Sequence, residues 1–208
     1  MSKRGVFITL EGPEGSGKSS QAKRLASSLR RGGSRVALFR DPGSTALGRQ
    51  LRTFLLHSRG ELSALFEALL FIGGRVALVE ERIRPALAAG QVVLCDRFHD
   101  STVAYQGFGG TLDWRWLDRW GRRAVGGTMP ALTVLLDLPT RAGFARIRRR
   151  HDRMERKARR FHQRVRDGFR QLARREPGRI AVVDAARAPG EVARAVRELV
   201  ATALGRAG

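Results

Sequence analysis

Hydrophobic residues recur along this chain in two rhythms. Short unbroken apolar runs occupy 5–10, 35–39, 91–95, 132–138 and 180–184. A run without alternation suits a strand covered on both faces, so these read as strands of a parallel sheet. Between them apolar residues return at i, i+3, i+4 and i+7, as in Ala22, Leu25, Ala26 and Leu29 or in Phe161, Val165, Phe169 and Leu172. That period predicts helices at about 17–31, 45–57, 61–89, 112–125, 139–149, 159–175 and 189–204. Pro85 falls inside the third of these, so a kink or break is expected near Arg84. Strand and helix alternate throughout, which predicts an α/β fold: a five-stranded, doubly wound parallel sheet with helices on both faces. Functional residues should then follow the carboxyl ends of the strands.

The first strand leads into Gly12-Pro13-Glu14-Gly15-Ser16-Gly17-Lys18-Ser19, which fits G-x-x-x-x-G-K-[ST] between a strand and a helix. Glycines there let successive backbone N–H groups turn onto phosphate oxygens, and the following helix adds its positive end. Lys18 supplies a full charge, Ser19 a hydroxyl of the kind such loops present to Mg²⁺, and Ser20 follows in the first helical turn. The chain reads as one that grips ATP or a similar triphosphate. The third strand ends in Asp96-Arg97-Phe98. An acidic residue closing a buried strand is the usual companion of a phosphate loop, so Asp96 is expected to help hold the hydrated Mg²⁺. Arg97 then stands where phosphates meet, with a guanidinium that forks onto two oxygens.

Composition bounds the rest. At 208 residues and 42% hydrophobic, with no Pro/Gly/Ser-rich linker, the chain reads as one domain over 1–208. The apolar run after Lys3 and Arg4 is too short for a signal peptide or a membrane span, and one cysteine, Cys95, suits a reducing cytoplasm and an inert core thiol. His57, His99, His151 and His162 show no metal-ligand spacing. The formal charge is +21, and the segment 141–179 carries fifteen Arg and Lys157 against four acidic residues, a net +12. Such an excess suits phosphorylated ligands, nucleic acid or a solvated helix face. Nucleic-acid binding would call for interleaved stacking aromatics, and here Phe161 and Phe169 fall on the inward stripe of a helix.

Taken together, the phosphate loop with Glu14 inside it, Asp41-Pro42-Gly43, Phe71 with Arg75, Asp96-Arg97-Phe98 with Ser101, Ala104-Tyr105-Gln106, and Asp152-Arg153-Met154-Glu155 resemble the thymidylate kinase family over about Val6 to Asp184. The resemblance implies a P-loop nucleoside monophosphate kinase that moves the ATP γ-phosphoryl group to dTMP, and a homodimeric state; no membrane partner is expected, and little beyond charge supports nucleic acid. It makes Phe71 the ring that stacks on thymine and Arg75 the donor to the base's carbonyl edge. Thr102 faces the base, Tyr105 crowds the place of a ribose 2′-hydroxyl, and Gln106, Ser101, Asp41 and Pro42 complete the dTMP site. Glu14 accepts the sugar 3′-hydroxyl, and Arg52 and Arg97 hold the acceptor's phosphate. The segment 148–160 resembles the family's lid. The phosphate loop carries no arginine of its own, so Arg153, with Arg148, Arg149 and Arg156 nearby, is expected to close on the transferring phosphates, making Lys18, Arg97 and Arg153 the catalytic set.

Three departures from the family pattern are visible. Gly73-Gly74 stands where bulkier residues are common, which predicts a looser base pocket. Ala131 replaces a frequent acidic residue, and His162 a frequent aromatic. A deoxynucleoside kinase of similar fold is the nearest alternative, and an ATP-dependent nucleic-acid-binding protein the alternative from another class. The acceptor separates the first: a neutral hydroxyl needs a base, whereas a phosphate needs a basic clamp such as Arg52, Arg75 and Arg97.

Overall fold

The structure is a computed structural model that describes residues 5–58, 60–148 and 151–206. Lys3, Arg4 and the lid residue Arg149 lie outside those spans. In chain order the elements are β1 (Val6–Glu11), α1 (Lys18–Arg31), β2 (Val36–Arg40), α2 (Ala46–His57) and α3 (Ala64–Leu78). A π-helical turn (Val79–Ile83) and α4 (Arg84–Ala88) follow, then β3 (Val92–Asp96), α5 (His99–Thr102) and a second π-helical segment (Val103–Gly109). The chain ends with α6 (Trp114–Ala124), β4 (Leu132–Asp137), α7 (Thr140–Ala145), α8 (Arg159–Arg175), β5 (Ile180–Asp184) and α9 (Pro189–Arg206).

The five strands form one parallel sheet in the order β2-β3-β1-β4-β5. Every residue of central β1 is buried, whereas the edge strands β2 and β5 are only partly covered, as their place in the sheet requires. On one face Ile8, Leu10 and Val134 pack with Leu25 of α1 and Val196 of α9. Across the sheet, Phe7, Val93 and Cys95 meet Leu78, Ile83 and Phe98. The α8 stripe of Phe161, Val165, Phe169 and Leu172 is buried against Tyr105, Leu117 and Leu135. Cys95 is fully enclosed and burial pushes its thiol well up, so it is the inert core group expected.

Two helical features were not written in the period. The break expected at Pro85 is a π turn: the Arg84 N–H reaches back to the Val79 carbonyl, so the helix steps around the missing proline donor without ending. The segment 99–109 is helical although no helix was expected there. His99 to Gln106 are all buried, so no polar face marks the 3.6 period, and Gly107 and Gly109 lie hard against Trp114, Phe161 and Val165.

Part of the arginine complement holds the helices and strand ends together. Arg166 makes a forked pair with Asp137 at 2.7 and 2.9 Å. Arg179 binds buried Asp100 at 2.8 Å and Glu176 at 2.7 Å, and Arg122 bridges Asp118 and Glu176. These contacts stitch α6, α8 and the ends of β4 and β5 together, which leaves fewer of the basic groups for a nucleic-acid footprint.

Candidate active site

The parallel register sets Leu10 of β1 and Arg40 of β2 beside Asp96 of β3, so three chains leave the sheet at one end. There the loop 12–17 turns into α1. Gly15 has φ of 69°, and a Cβ on it would run into the Gly143 carbonyl, so the loop needs glycine at this point. Lys18 Nζ donates to the Gly12 carbonyl at 2.8 Å, the Pro13 carbonyl at 2.6 Å and Ser16 Oγ at 3.2 Å. Burial and the nearby Arg97 charge push Lys18 down to about 7, so phosphate oxygens would be better partners for its cationic form than carbonyls. Ser19 Oγ donates to Asp96 Oδ2 at 2.5 Å, and Asp96 Oδ1 is buried without a hydrogen-bond partner among the described residues. Arg40, which the sequence did not single out, reaches Asp96 Oδ2 at 3.3 Å and Ser19 Oγ at 3.2 Å.

Next to this donor end lies a cleft walled by both polar and apolar side chains. Its wall contains Glu14, Asp41, Pro42, Arg52, Phe71, Arg75, Arg97, Ser101, Thr102, Tyr105 and Gln106, every residue assigned to the acceptor site. Phe71 is only half-buried and fronts the cleft, unlike a core ring. Arg75 is buried, with Nε donating to Asp41 Oδ2 at 2.6 Å and Nη2 to Thr102 Oγ1 at 2.8 Å. Its Nη1 has no partner among the described residues, a spare donor on a residue of the cleft wall. Arg97 Nη1 donates to Ser101 Oγ at 3.1 Å and the Gly12 carbonyl at 3.3 Å, and the guanidinium lies 5.1 Å over the Tyr105 ring. Burial lowers Arg52 to about 10 with the help of Arg40 and Arg97, which leaves it cationic at neutral pH. Glu14 is buried; burial alone would raise its carboxyl, but His162, Arg97 and Lys18 outweigh that and hold it at about 2.

The thymidylate kinase family model matches residues 10–196. The chain belongs to the thymidylate kinase family. It is 45% identical to the thymidylate kinase of Desulfovibrio desulfuricans, over 98% of each chain, and 47% identical to that of Deinococcus radiodurans, over 91% of this chain and 93% of the other. The crystal structure of thymidylate kinase from Ehrlichia chaffeensis superposes with a TM-score of 0.78 at 33% identity, covering 95% of this chain and 98% of that one.

Against the thymidylate kinase pattern three expectations change. Arg153 does not face the phosphate loop: Nε donates to the Leu55 carbonyl at 2.8 Å, Nη1 to Glu67 Oε1 at 2.7 Å, and Nη2 lies 3.7 Å from the Met154 sulfur. A carboxylate in α3 has captured it. Glu67, which the sequence reading passed over, also binds Lys157 at 3.2 Å and Gln106 at 3.0 Å, so one buried anion clamps the lid to the acceptor wall. Arg148 and Arg156 remain exposed. Second, neither Gly73 nor Gly74 is among the residues that line the cleft. Gly73 faces open space, and a Cβ on Gly74 would press on Leu51, so the small residue serves the approach of α2 to α3. Third, His162 is not an idle replacement of an aromatic, because its Nδ1 lies 3.3 Å from Glu14 Oε2. Ala131 gives its N–H to the Phe7 carbonyl at 2.8 Å, a backbone role that any side chain permits.

Glu11 was also missed. It accepts from the Phe98 N–H at 2.7 Å, the Ser101 N–H at 3.2 Å and Ser101 Oγ at 2.6 Å, and so fixes the turn that carries Arg97. No capping motif near α5 could reveal a cap that comes from another strand.

The placement of Arg153 yields a prediction. Arg153→Ala is expected to lower stability by about 2 kcal/mol, the scale of hydrogen bonds to a charged group, and to raise the KM for dTMP while kcat falls less than about tenfold. Thermal melts alongside steady-state kinetics check this. An unchanged Tm with kcat reduced by about a hundredfold would return Arg153 to the transferring phosphates.

Proposed function

We infer that this chain transfers the γ-phosphoryl group of ATP to the phosphate of dTMP, giving dTDP and ADP, as a step in nucleotide synthesis. The observation that carries the reading is that Glu14, Phe71, Arg75, Arg97 and Tyr105 line one cleft beside the phosphate loop. The acceptor phosphate is already a nucleophile, so the protein's work is alignment and charge neutralisation. Phe71 offers a flat face to the base, and the spare Nη1 of Arg75 an N–H donor for a base carbonyl. Arg52 and Arg97 bring fixed positive charge to the acceptor phosphate, while Lys18 and the loop amides hold the donor. Glu14, held ionised against its burial by His162, Arg97 and Lys18, is an acceptor for a sugar hydroxyl.

The donor end fits Mg²⁺. Ser19 Oγ and Asp96 are hard oxygen ligands, and the unsatisfied Asp96 Oδ1 is an acceptor without a proton donor among the described residues, as a hydrated cation requires. Bound there, Mg²⁺ would neutralise charge on the transferring phosphates.

The helices α2 and α3 leave Leu47, Phe54, Leu65, Phe66 and Leu69 exposed, with the Phe54 and Phe66 rings edge to face at 6.3 Å. An apolar face of this kind supports a homodimer formed through α2 and α3. Among the described residues no helix is long and apolar enough to cross a membrane. With a single buried cysteine and freely diffusing substrates, we place the enzyme in the cytoplasm.

Turnover with ATP, Mg²⁺ and a panel of nucleoside monophosphates tests the reading. Selective formation of dTDP is expected; preference for another base, or for thymidine over dTMP, would overturn it. A sharper expectation concerns Tyr105, whose ring lines the cleft while its hydroxyl donates to Glu14 Oε1 at 2.5 Å. Tyr105→Ala should reduce discrimination against ribothymidine monophosphate by about tenfold or more, the scale of a filled or emptied steric site. Tyr105→Phe should keep that discrimination. Equal ratios of kcat/KM in all three proteins would end the steric account.

A further inference from the structure

His162 sits in the first turn of α8 and is 1% exposed. Phe144 and Phe161 meet its ring edge to face at centroid distances of 4.8 and 5.2 Å, which holds the imidazole in place. Its Nδ1 points at ion-pair distance, 3.3 Å, toward Glu14 Oε2, short of a well-aligned hydrogen bond.

The Glu14 carboxylate shows why this contact matters. Oε1 is served by the Tyr105 hydroxyl at 2.5 Å, with Arg97 Nη2 at 4.0 Å. Oε2 is buried and has no aligned donor among the described residues, and neither nitrogen of His162 has one either. A buried carboxylate oxygen left without a donor is costly, and an imidazole N–H within reach of it is the natural remedy. Among the interactions that favour the Glu14 anion against burial, that with His162 is the largest. The elements involved add a second point. Residues 151–158 run straight into α8, and Arg153 and Lys157 anchor that stretch to Glu67, so His162 is carried by the same segment as the lid.

We propose that His162 is a positioning residue whose Nδ1–H fixes the Glu14 carboxylate toward the acceptor's sugar, linking lid placement to recognition of the 3′-hydroxyl. This rests on the reading of Glu14 as the partner of that hydroxyl. Tyr105 holds one oxygen and His162 the other, on a carboxylate of the cleft wall. A shift of the lid segment displaces the imidazole and frees the carboxylate to turn.

The test compares kcat/KM for dTMP and for 3′-deoxythymidine monophosphate, at saturating ATP, in the wild type, His162→Phe and His162→Asn. Phenylalanine keeps the ring among Phe144 and Phe161 but removes the donor, and asparagine carries an amide nitrogen close to the place of Nδ1. Loss of the 3′-hydroxyl should cost the wild type about 10- to 100-fold, the scale of a hydrogen bond to a charged group. In His162→Phe the ratio should shrink to less than about threefold with the KM for ATP little changed, and His162→Asn should restore most of it. A wild-type ratio retained in His162→Phe would overturn the proposal and leave the reading of Glu14 standing. A wild type indifferent to the 3′-hydroxyl would overturn the reading of Glu14, and this proposal with it. If His162→Phe does not fold, His162→Leu, which also lacks the donor, takes its place: a ratio shrunk toward that of a Glu14→Gln control supports the proposal, and a wild-type ratio overturns it.

Discussion

Replacing Arg97 by alanine is expected to lower kcat by about 10²- to 10³-fold, the loss that follows removal of one preorganised group at a site of developing charge. The expectation rests on how much of the fold is devoted to aiming this one side chain. Arg97 has φ of 70°, a left-handed conformation that a residue with a Cβ rarely adopts. Such a backbone costs on the order of 1–3 kcal/mol and persists only where the surroundings impose it. Here they do: the Arg97 N–H is tied to the Leu10 carbonyl at 3.1 Å, and Glu11 fixes Phe98 and Ser101 beyond it. The strained turn sends the guanidinium back across the Gly12 carbonyl and over Tyr105, between the two nucleotide sites. Steady-state kinetics with both substrates varied checks the effect. Arg97→Lys should recover part of kcat, because charge returns without the fork. A kcat within about threefold of wild type in Arg97→Ala would mean that other groups carry the transferring charge.

Arg75→Ala is expected to damage both stability and dTMP use. Arg75 and Asp41 are 1% and 2% exposed, and taking away one partner of a buried pair costs about 3–5 kcal/mol because the other charge is left behind. Burial already raises Asp41, with Arg75 the chief opposing influence, so without Arg75 the carboxyl should be protonated or poorly solvated. For a chain of this size the melting temperature should fall by about 10 °C. The double variant Asp41→Asn with Arg75→Met removes both charges and should regain most of the stability. It should not regain kcat/KM for dTMP, because the spare Nη1 donor is still missing. Recovery of both together would show that Arg75 supports the pocket without touching the base.

The strands and most helices were legible because their signal is local. A strand buried on two faces must be apolar throughout, and an amphipathic helix must repeat with its turn. The phosphate loop was legible for the same reason, since its glycines, Lys18 and Ser19 are consecutive. The acceptor residues were legible only through resemblance: nothing in Leu69-Leu70-Phe71-Ile72 distinguishes a stacking ring from a core one. What escaped was partnership over distance. Arg153 and Glu67 stand 86 positions apart, and Glu11 and Phe98 stand 87 apart, so no spacing rule joins them. A lysine- or arginine-rich lid shows where charge is stored, and the carboxylates of neighbouring helices decide how much of it is free. His162 stands out as a departure, but its meaning depends on Glu14 meeting it from the phosphate loop.

The wide turn from Val103 to Gly109 has a consequence for how this protein tolerates change in length. A π-helical stretch holds more residues per turn than an α-helix, and here Tyr105 and Gln106 lie within it, on the wall of the acceptor cleft. Deleting a single residue at 107–110 or 103–104 would let the coil tighten to its ordinary pitch and swing the side chains near it by about 100°, one step of the helical wheel. Tyr105 would leave Glu14, and Gln106 would leave Glu67. Substitutions in this segment change one contact each, whereas a one-residue deletion would rotate the acceptor wall out of phase with the phosphate loop.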